Sequence, residues 1–303
     1  MKFDLMETTR EGEPRAFVNL KGLTTLWFNT GSLCNLECKI CYIESSPKND
    51  RLSYISVTDV KKYIDEILKY QLGTEMIGFT GGEPFLNPSI IQLLELSLSN
   101  NFRTLVLTNA YKVLNKHKKA LIDLKEKYGD LLSIRVSLDH FTAEVHELER
   151  GSGSFDGTLT SVQWLYENDF NLSIASRSLK EESVEESKSG HQKLFESIGV
   201  KIDLEEKLVI FPEMNSGKES PEISVHCWDI LNKSPEDQMC ASERMIVKPK
   251  AYDHTRVMPC TLLAYDEQFV LGKDLMESKS KVYLNHPFCA EFCVLGGASC
   301  SNT

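Results

Sequence analysis

Cys34, Cys38 and Cys41 stand in the run Cys-Asn-Leu-Glu-Cys-Lys-Ile-Cys, directly after an apolar stretch at residues 24–28. Three thiolates from one short loop, with no fourth cysteine beside them, suit a centre that leaves a coordination position open. An iron–sulfur cube takes four ligands. Three cysteines would leave one iron free for a small molecule, and an open metal position is where chemistry occurs. Structural zinc instead pairs one Cys-x2-Cys with a second and closes all four positions. On spacing alone, zinc and free thiols remain alternatives to iron–sulfur.

The bulk composition narrows the setting. The 303 residues carry a net charge of −10, with 41% hydrophobic and 26% charged residues, as in ordinary globular chains. Lys and Arg form no stripe, so nucleic acid is not an expected partner. Residues 1–15 are polar, with no apolar h-region of a secretory signal. No apolar run reaches the roughly 18 residues needed to span a membrane. Nine cysteines in such a chain point to metal ligands before disulfides. A cytoplasmic, metal-bearing protein is expected.

The elements that must position the cysteines follow a simple alternation. Apolar runs at 24–28, 76–79, 104–107, 132–138, 172–175 and 208–211 alternate with helix-period segments. Val57, Val60, Ile64, Ile67 and Leu68 share one helical face, with Gly73 as the expected C-cap. Asn87-Pro88 reads as N-cap and first-turn proline of a helix through Leu98. Further helices are expected near 113–128, 158–168 and 183–198, with a solvated charge-rich run at 180–189. The fold expected is α/β, a partial (β/α)6 TIM-like barrel, with a doubly wound sheet sharing the same pattern. Residues 212–224 contain two prolines and a glycine and read as a linker. Beyond them lies a small cysteine-rich domain, with a hairpin from 244–248 and 255–258 around 250–254.

In parallel βα folds the functional groups gather at the carboxyl ends of strands. Candidates do so strand after strand. The cysteine loop follows the first, Gly81-Gly82-Glu83-Pro84 the second and Thr108-Asn109 the third. Ser137 and Asp139 end the fourth, and Arg177 ends the fifth.

With these residues in place the chain resembles the radical S-adenosylmethionine (radical SAM) superfamily over about residues 22–211. Cys34-x3-Cys38-x2-Cys41, with Gly-Gly-Glu-Pro one βα unit later, carries the resemblance. The tract Ser137-Leu138-Asp139, His146 and Arg150-Gly151 looks like the subgroup with C-terminal auxiliary clusters. The resemblance implies a [4Fe–4S] cluster on the three cysteines, with SAM chelating the open iron. It implies that Gly81 and Gly82 let backbone approach the methionine portion and that Glu83 accepts from its ammonium. Ser137 and Asp139 suit ribose hydroxyls, and Arg150 and Arg177 are candidate forks for the SAM carboxylate. Asn109 is either a cofactor contact or a helix N-cap. The position before Cys41, aromatic in the family, is Ile40, with Tyr42 one residue later as the backbone contact to adenine. An asparagine frequent after the fifth strand is replaced around Ser178 and Leu179.

The later cysteines resemble the twitch domain, the shortened relative of the SPASM domain, although Cys289-x3-Cys293 stands where the family shows Cys-x2-Cys. That resemblance implies an auxiliary cluster on Cys240, Cys260, Cys289 and Cys293, with Cys300 or Cys227 as substitutes and zinc as the alternative. The divisions expected are an N-terminal segment 1–21, a core 22–211, a linker 212–224 and an auxiliary domain 225–303.

The function so implied is that of a radical SAM oxidoreductase, which cleaves SAM reductively and abstracts a hydrogen atom from a substrate, giving net oxidation or cross-linking. Peptide maturases of the family often carry a leader-binding module, for which the stretch before residue 22 is too short. A small molecule, or a peptide delivered by another protein, is therefore expected, with flavodoxin or ferredoxin as electron donor. The other readings are a non-catalytic iron–sulfur or zinc scaffold and a radical SAM RNA-modifying enzyme. His140, Glu144 and His146 lie near the same rim in sequence, with no role assigned.

Overall fold

The computed structural model of the chain describes residues 2–178, 182–214 and 220–301. Leu179, the start of the charge-rich run and residues 215–219 of the expected linker lie outside the described residues.

A short strand β1 (Phe17–Val18) precedes six parallel strands that alternate with helices. The order is β2 (Thr25–Asn29), α1 (Val57–Tyr70), β3 (Met76–Thr80), α2 (Ile90–Ser99), β4 (Arg103–Thr108) and α3 (Lys118–Tyr128). Then follow β5 (Leu132–Ser137), α4 (Ala143–Arg150), α5 (Ser154–Glu167), β6 (Asn171–Arg177), α6 (Val184–Ser197), α7 (Leu204–Lys207) and β7 (Leu208–Phe211). This is the α/β partial barrel that the alternation implied, with every expected strand in place.

Helix boundaries differ where local chemistry outweighs pattern. α1 starts at a capping box in which Ser56 and Asp59 exchange bonds, and buries Val60, Tyr63, Ile64 and Ile67. The left-handed residue that ends it is Gln71, with Gly73 two residues further on. Asn87 does not cap α2. Its side chain accepts from Ser89 N–H at 2.9 Å and donates to the carbonyls of Thr30 and Ile55, each at 3.0 Å. These bonds pin the start of α2 to the loop after β2. α4 was not among the expected helices, because it buries only His146 and shows no apolar stripe.

Alternation along the strands divides the apolar residues between two packings. Leu26, Phe28, Ile77, Phe79, Val106 and Ile134 pack with the buried helix faces. Trp27, Leu105 and Met245 pack with residues from the C-terminal region. Gly78 makes room for this second layer, since a Cβ there would stand 2.2 Å from the Trp27 ring.

The C-terminal region is built onto the barrel. α8 (Cys227–Leu231) leads to the hairpin β8 (Glu243–Val247) and β9 (Arg256–Met258), and β10 (Val282–Tyr283) pairs with β1. β8 hydrogen-bonds parallel to β2, so the sheet runs β7-β6-β5-β4-β3-β2-β8-β9. The expected hairpin therefore extends the barrel sheet. Residues 220–224, read as linker, are tied to the N-terminal segment: Ala16 N–H donates to Ile223 at 2.9 Å, and fully buried Arg15 pairs with Glu222. Ile223 is buried, which a free linker residue would not be. Among the described residues, no helix is long and apolar enough to cross a membrane.

Candidate active site

The loop after β2 carries the three cysteines to the carboxyl rim. Cys34 N–H donates to the Ser46 carbonyl at 3.1 Å, and Ser32 Oγ donates to the Asn49 carbonyl at 2.9 Å, so the loop is clamped against its own return. Donors already face the sulfurs: Leu36 N–H lies 3.4 Å from Cys34 Sγ, Ser45 N–H 3.2 Å from Cys41 Sγ, and Asn109 Nδ2 3.6 Å from Cys34 Sγ. Such bonds favour thiolate. Burial, then the Glu83 carboxylate, pushes the Cys34 thiol up to about 12. Burial also raises Cys38, against the pull of Arg150. A metal would take the place of these protons.

Gly81 and Gly82 follow β3 and lie against the cysteine loop. Gly82 N–H donates to the Gly31 carbonyl at 2.8 Å, and Glu83 N–H to Leu33 at 3.1 Å. A Cβ on Gly82 would stand 2.1 Å from the Leu33 oxygen, and Gly81 has φ +138. The missing side chains thus first permit loop-on-loop packing, while both residues also line the cavity. Glu83, expected as an ammonium acceptor, is engaged by protein donors. It is buried, accepts the N–H groups of Phe85 and Asn109 and the hydroxyl of Thr108 at 2.8–3.1 Å, and does not line the cavity. Its carboxyl, raised by burial to about 7, fastens the loop after β4 to the loop after β3.

Asn109 is neither a helix N-cap nor an isolated contact. Its Oδ1 accepts from Tyr111 N–H at 2.8 Å, and its Nδ2 reaches Asn35 Oδ1 at 3.0 Å. Ser137 lies on the cavity wall at the end of β5. Asp139 is committed to arginine: Arg150 grips it with Nε and Nη2 at 2.7 and 2.8 Å, and Arg177 Nε lies 3.2 Å away. Burial would raise its carboxyl, but the two guanidiniums hold it at about 2. Burial opposes the charge on Arg150, and Asp139 raises its affinity for the proton. One carboxylate against two guanidiniums leaves one positive charge beside the three cysteines. Arg177 also lies 4.9 Å over the Tyr42 ring, which meets Phe288 and Phe292 edge-on. The two arginines and Asp139, expected to meet the cofactor separately, form one ion-pair group on the cavity wall.

Cys34, Cys38, Cys41, Tyr42, Gly81, Gly82, Asn109, Ser137, Asp139, Arg150 and Arg177 therefore face one cavity. His140 does not join them; it bonds to Thr142 and Glu182. His146 is buried and Glu144 is exposed.

The model of the radical SAM superfamily matches residues 28–188, just over half of the chain. The chain belongs to the radical SAM superfamily. Curated relatives include the antilisterial bacteriocin subtilosin biosynthesis protein AlbA of Bacillus subtilis, 31% identical over 143 residues, covering 47% of this chain and 30% of that one. The mycofactocin maturase MftC of Mycobacterium tuberculosis is 32% identical over 130 residues, 43% of this chain and 31% of its own. The chain spans about 30% of the length of these relatives. Solved structures of similar fold include Streptococcus suis SuiB bound to precursor peptide SuiA, with TM-score 0.59, 15% identity and coverage of 86% and 66%. Native anSMEcpe with bound AdoMet has TM-score 0.60 at 16% identity, covering 91% and 84%.

Radical SAM proteins use a [4Fe–4S] cluster and SAM, and the residues of this rim fit both. Three thiols from one loop meet N–H donors, and the unbalanced guanidinium charge suits thiolates and an anionic cofactor group. Among the described residues, no three His, Cys, Asp or Glu side chains converge on the position of one metal ion.

The later cysteines of this radical SAM chain gather in a second place. Cys240, Cys260, Cys289, Cys293 and Cys300 are buried or nearly so, and each thiol is raised by burial first. The charges of Cys260, Cys289, Cys240 and Cys300 all act on Cys293. Cys289 and Cys293 share one face of the π-helical segment Cys289–Leu295. Cys227 Sγ lies 3.7 Å from Ser224 Oγ. Cys300 receives the Thr261 hydroxyl at 3.2 Å and also lines the first cavity, so it stands between the two groups of cysteines. Sequence reading missed Asn35 and Thr261 at this rim; both adjoin predicted cysteine ligands, and that adjacency was the available signal. It also missed Glu243 and Arg244, whose signal was two charges opening a fully buried strand.

Proposed function

We propose that the chain is a radical SAM oxidoreductase that removes a hydrogen atom from a peptide undergoing maturation and passes the remaining electron to an auxiliary [4Fe–4S] cluster. The observation that carries this reading is the convergence of the three cysteines, Gly81-Gly82 and the Asp139–Arg150–Arg177 group on one cavity. When bound, the cluster and SAM supply reductive cleavage of SAM and a carbon-centred radical able to take a hydrogen atom. Cys34, Cys38 and Cys41 hold three irons of the first cluster. Arg177, fixed by Asp139 and braced on Tyr42, offers its outer N–H groups to the SAM carboxylate. Arg150, gripped bidentately, sets Asp139 and leaves Arg177 as the available cation. Ser137 is placed for a ribose hydroxyl, and backbone at Tyr42 for adenine. Phe211 and Leu262, on the wall of the same cavity, exclude water from the reacting atoms.

Cys240, Cys260, Cys289 and Cys293 hold the auxiliary cluster, the 225–303 region forming the auxiliary domain. A peptide substrate is favoured because two relatives are named as a bacteriocin biosynthesis protein and a maturase. The sheet is unclosed, since its end strands β7 and β9 do not pair among the described residues, and an open sheet suits the approach of an extended chain. A flavodoxin or ferredoxin supplies the electron, and the setting is the cytoplasm.

The test is anaerobic reconstitution followed by SAM and dithionite. Formation of 5′-deoxyadenosine and methionine is expected by chromatography, with loss of at least about a hundredfold in Cys38→Ala. Equal turnover in that variant would remove the reading.

A further inference from the structure

A positive charge sits buried beside the second group of cysteines with part of its hydrogen-bonding capacity unused. Arg244, on β8, is fully buried. Its Nη1 donates to the carbonyls of Cys240 and Glu243 at 2.7 Å, and its Nε to Ser278 at 3.0 Å. Nη2 is buried and has no partner among the described residues. No ion pair is formed by Arg244 among the described residues. The Glu243 carboxylate is occupied by Trp27 Nε1 and by the hydroxyls of Ser299 and Ser301. Two further guanidiniums act on these cysteines: Arg15, which is engaged with Glu222, and Arg135, whose Nη1 donates to the Cys300 carbonyl at 2.7 Å.

A buried guanidinium without a counter-anion is strongly destabilising, as is a buried N–H without an acceptor. Both are relieved by one group, an anion adjoining Cys240. Arg244 already reaches the Cys240 carbonyl at 2.7 Å, and the charges of Cys240 and Cys260 both act favourably on it, so these two thiolates are candidate anions for it.

We propose that Arg244 tunes the auxiliary cluster, donating its free Nη2–H to a ligand or cluster sulfur and stabilising the reduced state. This rests on the auxiliary-cluster reading above. Taking up one electron makes a four-thiolate cluster more negative by one charge, and a fixed cation with an N–H···S bond favours that state. Arg244 is thus a positioning residue for electron acceptance, distant in role from the SAM-binding arginines.

The test isolates the second cluster in full-length chain carrying Cys34→Ala, Cys38→Ala and Cys41→Ala. Reduction is followed by electron paramagnetic resonance during titration with dithionite, one electron per cluster. Arg244→Met is expected to lower the equilibrium constant for reduction about tenfold, about 59 mV for one electron. Arg244→Lys, which keeps the charge, should stay within about threefold of the parent. Protein labelled with 15N-arginine should show nitrogen coupling to the reduced cluster, absent in Arg244→Lys. This second readout decides the matter should the methionine variant fail to fold. An unchanged potential in folded Arg244→Met, equal shifts in both variants, or no nitrogen coupling would each overturn the assignment. A colourless zinc protein, or one without iron, would instead overturn the auxiliary-cluster reading itself, and the assignment with it.

Discussion

His146 shows how a single side chain in this rim can be structural while its neighbours are chemical. It is fully buried against Phe155, with both ring nitrogens unpartnered among the described residues. Burial, aided by the Arg150 charge, depresses it from 6.5 to about 4. A base depressed on folding contributes stability that is whole above its ordinary range and is lost as pH falls toward the folded value. Between pH 8 and 5.5 the protein should therefore lose about 1.4 kcal/mol through this group. In His146→Leu that loss should vanish, with stability at pH 8 changed by under about 1 kcal/mol because two orphan nitrogens are exchanged for apolar surface. Urea midpoints at the two pH values, measured without oxygen, check this; parallel pH dependence in both proteins would contradict it. The same scale explains Glu83 and Asp139. Both look like ligand contacts in the sequence, and both are held by protein donors.

Among the elements, the decisive contact is between two loops. The glycine turn after β3 and the loop that carries Cys34 touch backbone to backbone, so the cysteines owe their position to residues one βα unit away. Gly82→Ala should push the two loops apart by inserting a methyl 2.1 Å from the Leu33 oxygen. The first cluster should then be lost while the second remains, and iron should fall from about eight to about four atoms per chain. Colorimetric iron assay after anaerobic reconstitution reads the difference, and full iron occupancy would show that the loop gives way instead. Asn87 acts at the same level, joining the start of α2 to the backbone at Thr30 and Ile55.

For the whole molecule, β8 hydrogen-bonded to β2 places the region of the later cysteines beside the strand that launches the first three. Generating a radical and accepting an electron should then be separable. Cys260 acts on each of Cys289, Cys293 and Cys300, so Cys260→Ala should lose about four irons per chain. It should still form 5′-deoxyadenosine from SAM and dithionite alone, within about threefold of the parent rate. Loss of that reaction would mean the two cysteine groups are one functional unit.

Order along the chain was legible in the sequence because period and spacing are local properties. The six strand runs, the Cys34–Cys38–Cys41 loop and the polar residue at each strand end need no partner to be recognised. What those polar groups bond to was settled only by folding. Asp139 meets Arg177, Glu83 meets Asn109 and Cys300 reaches the first cavity because strands that are separate in the chain stack side by side. Burial then removes water as the alternative partner, so each group takes whichever donor or acceptor the neighbouring strand presents, and no spacing rule encodes that choice.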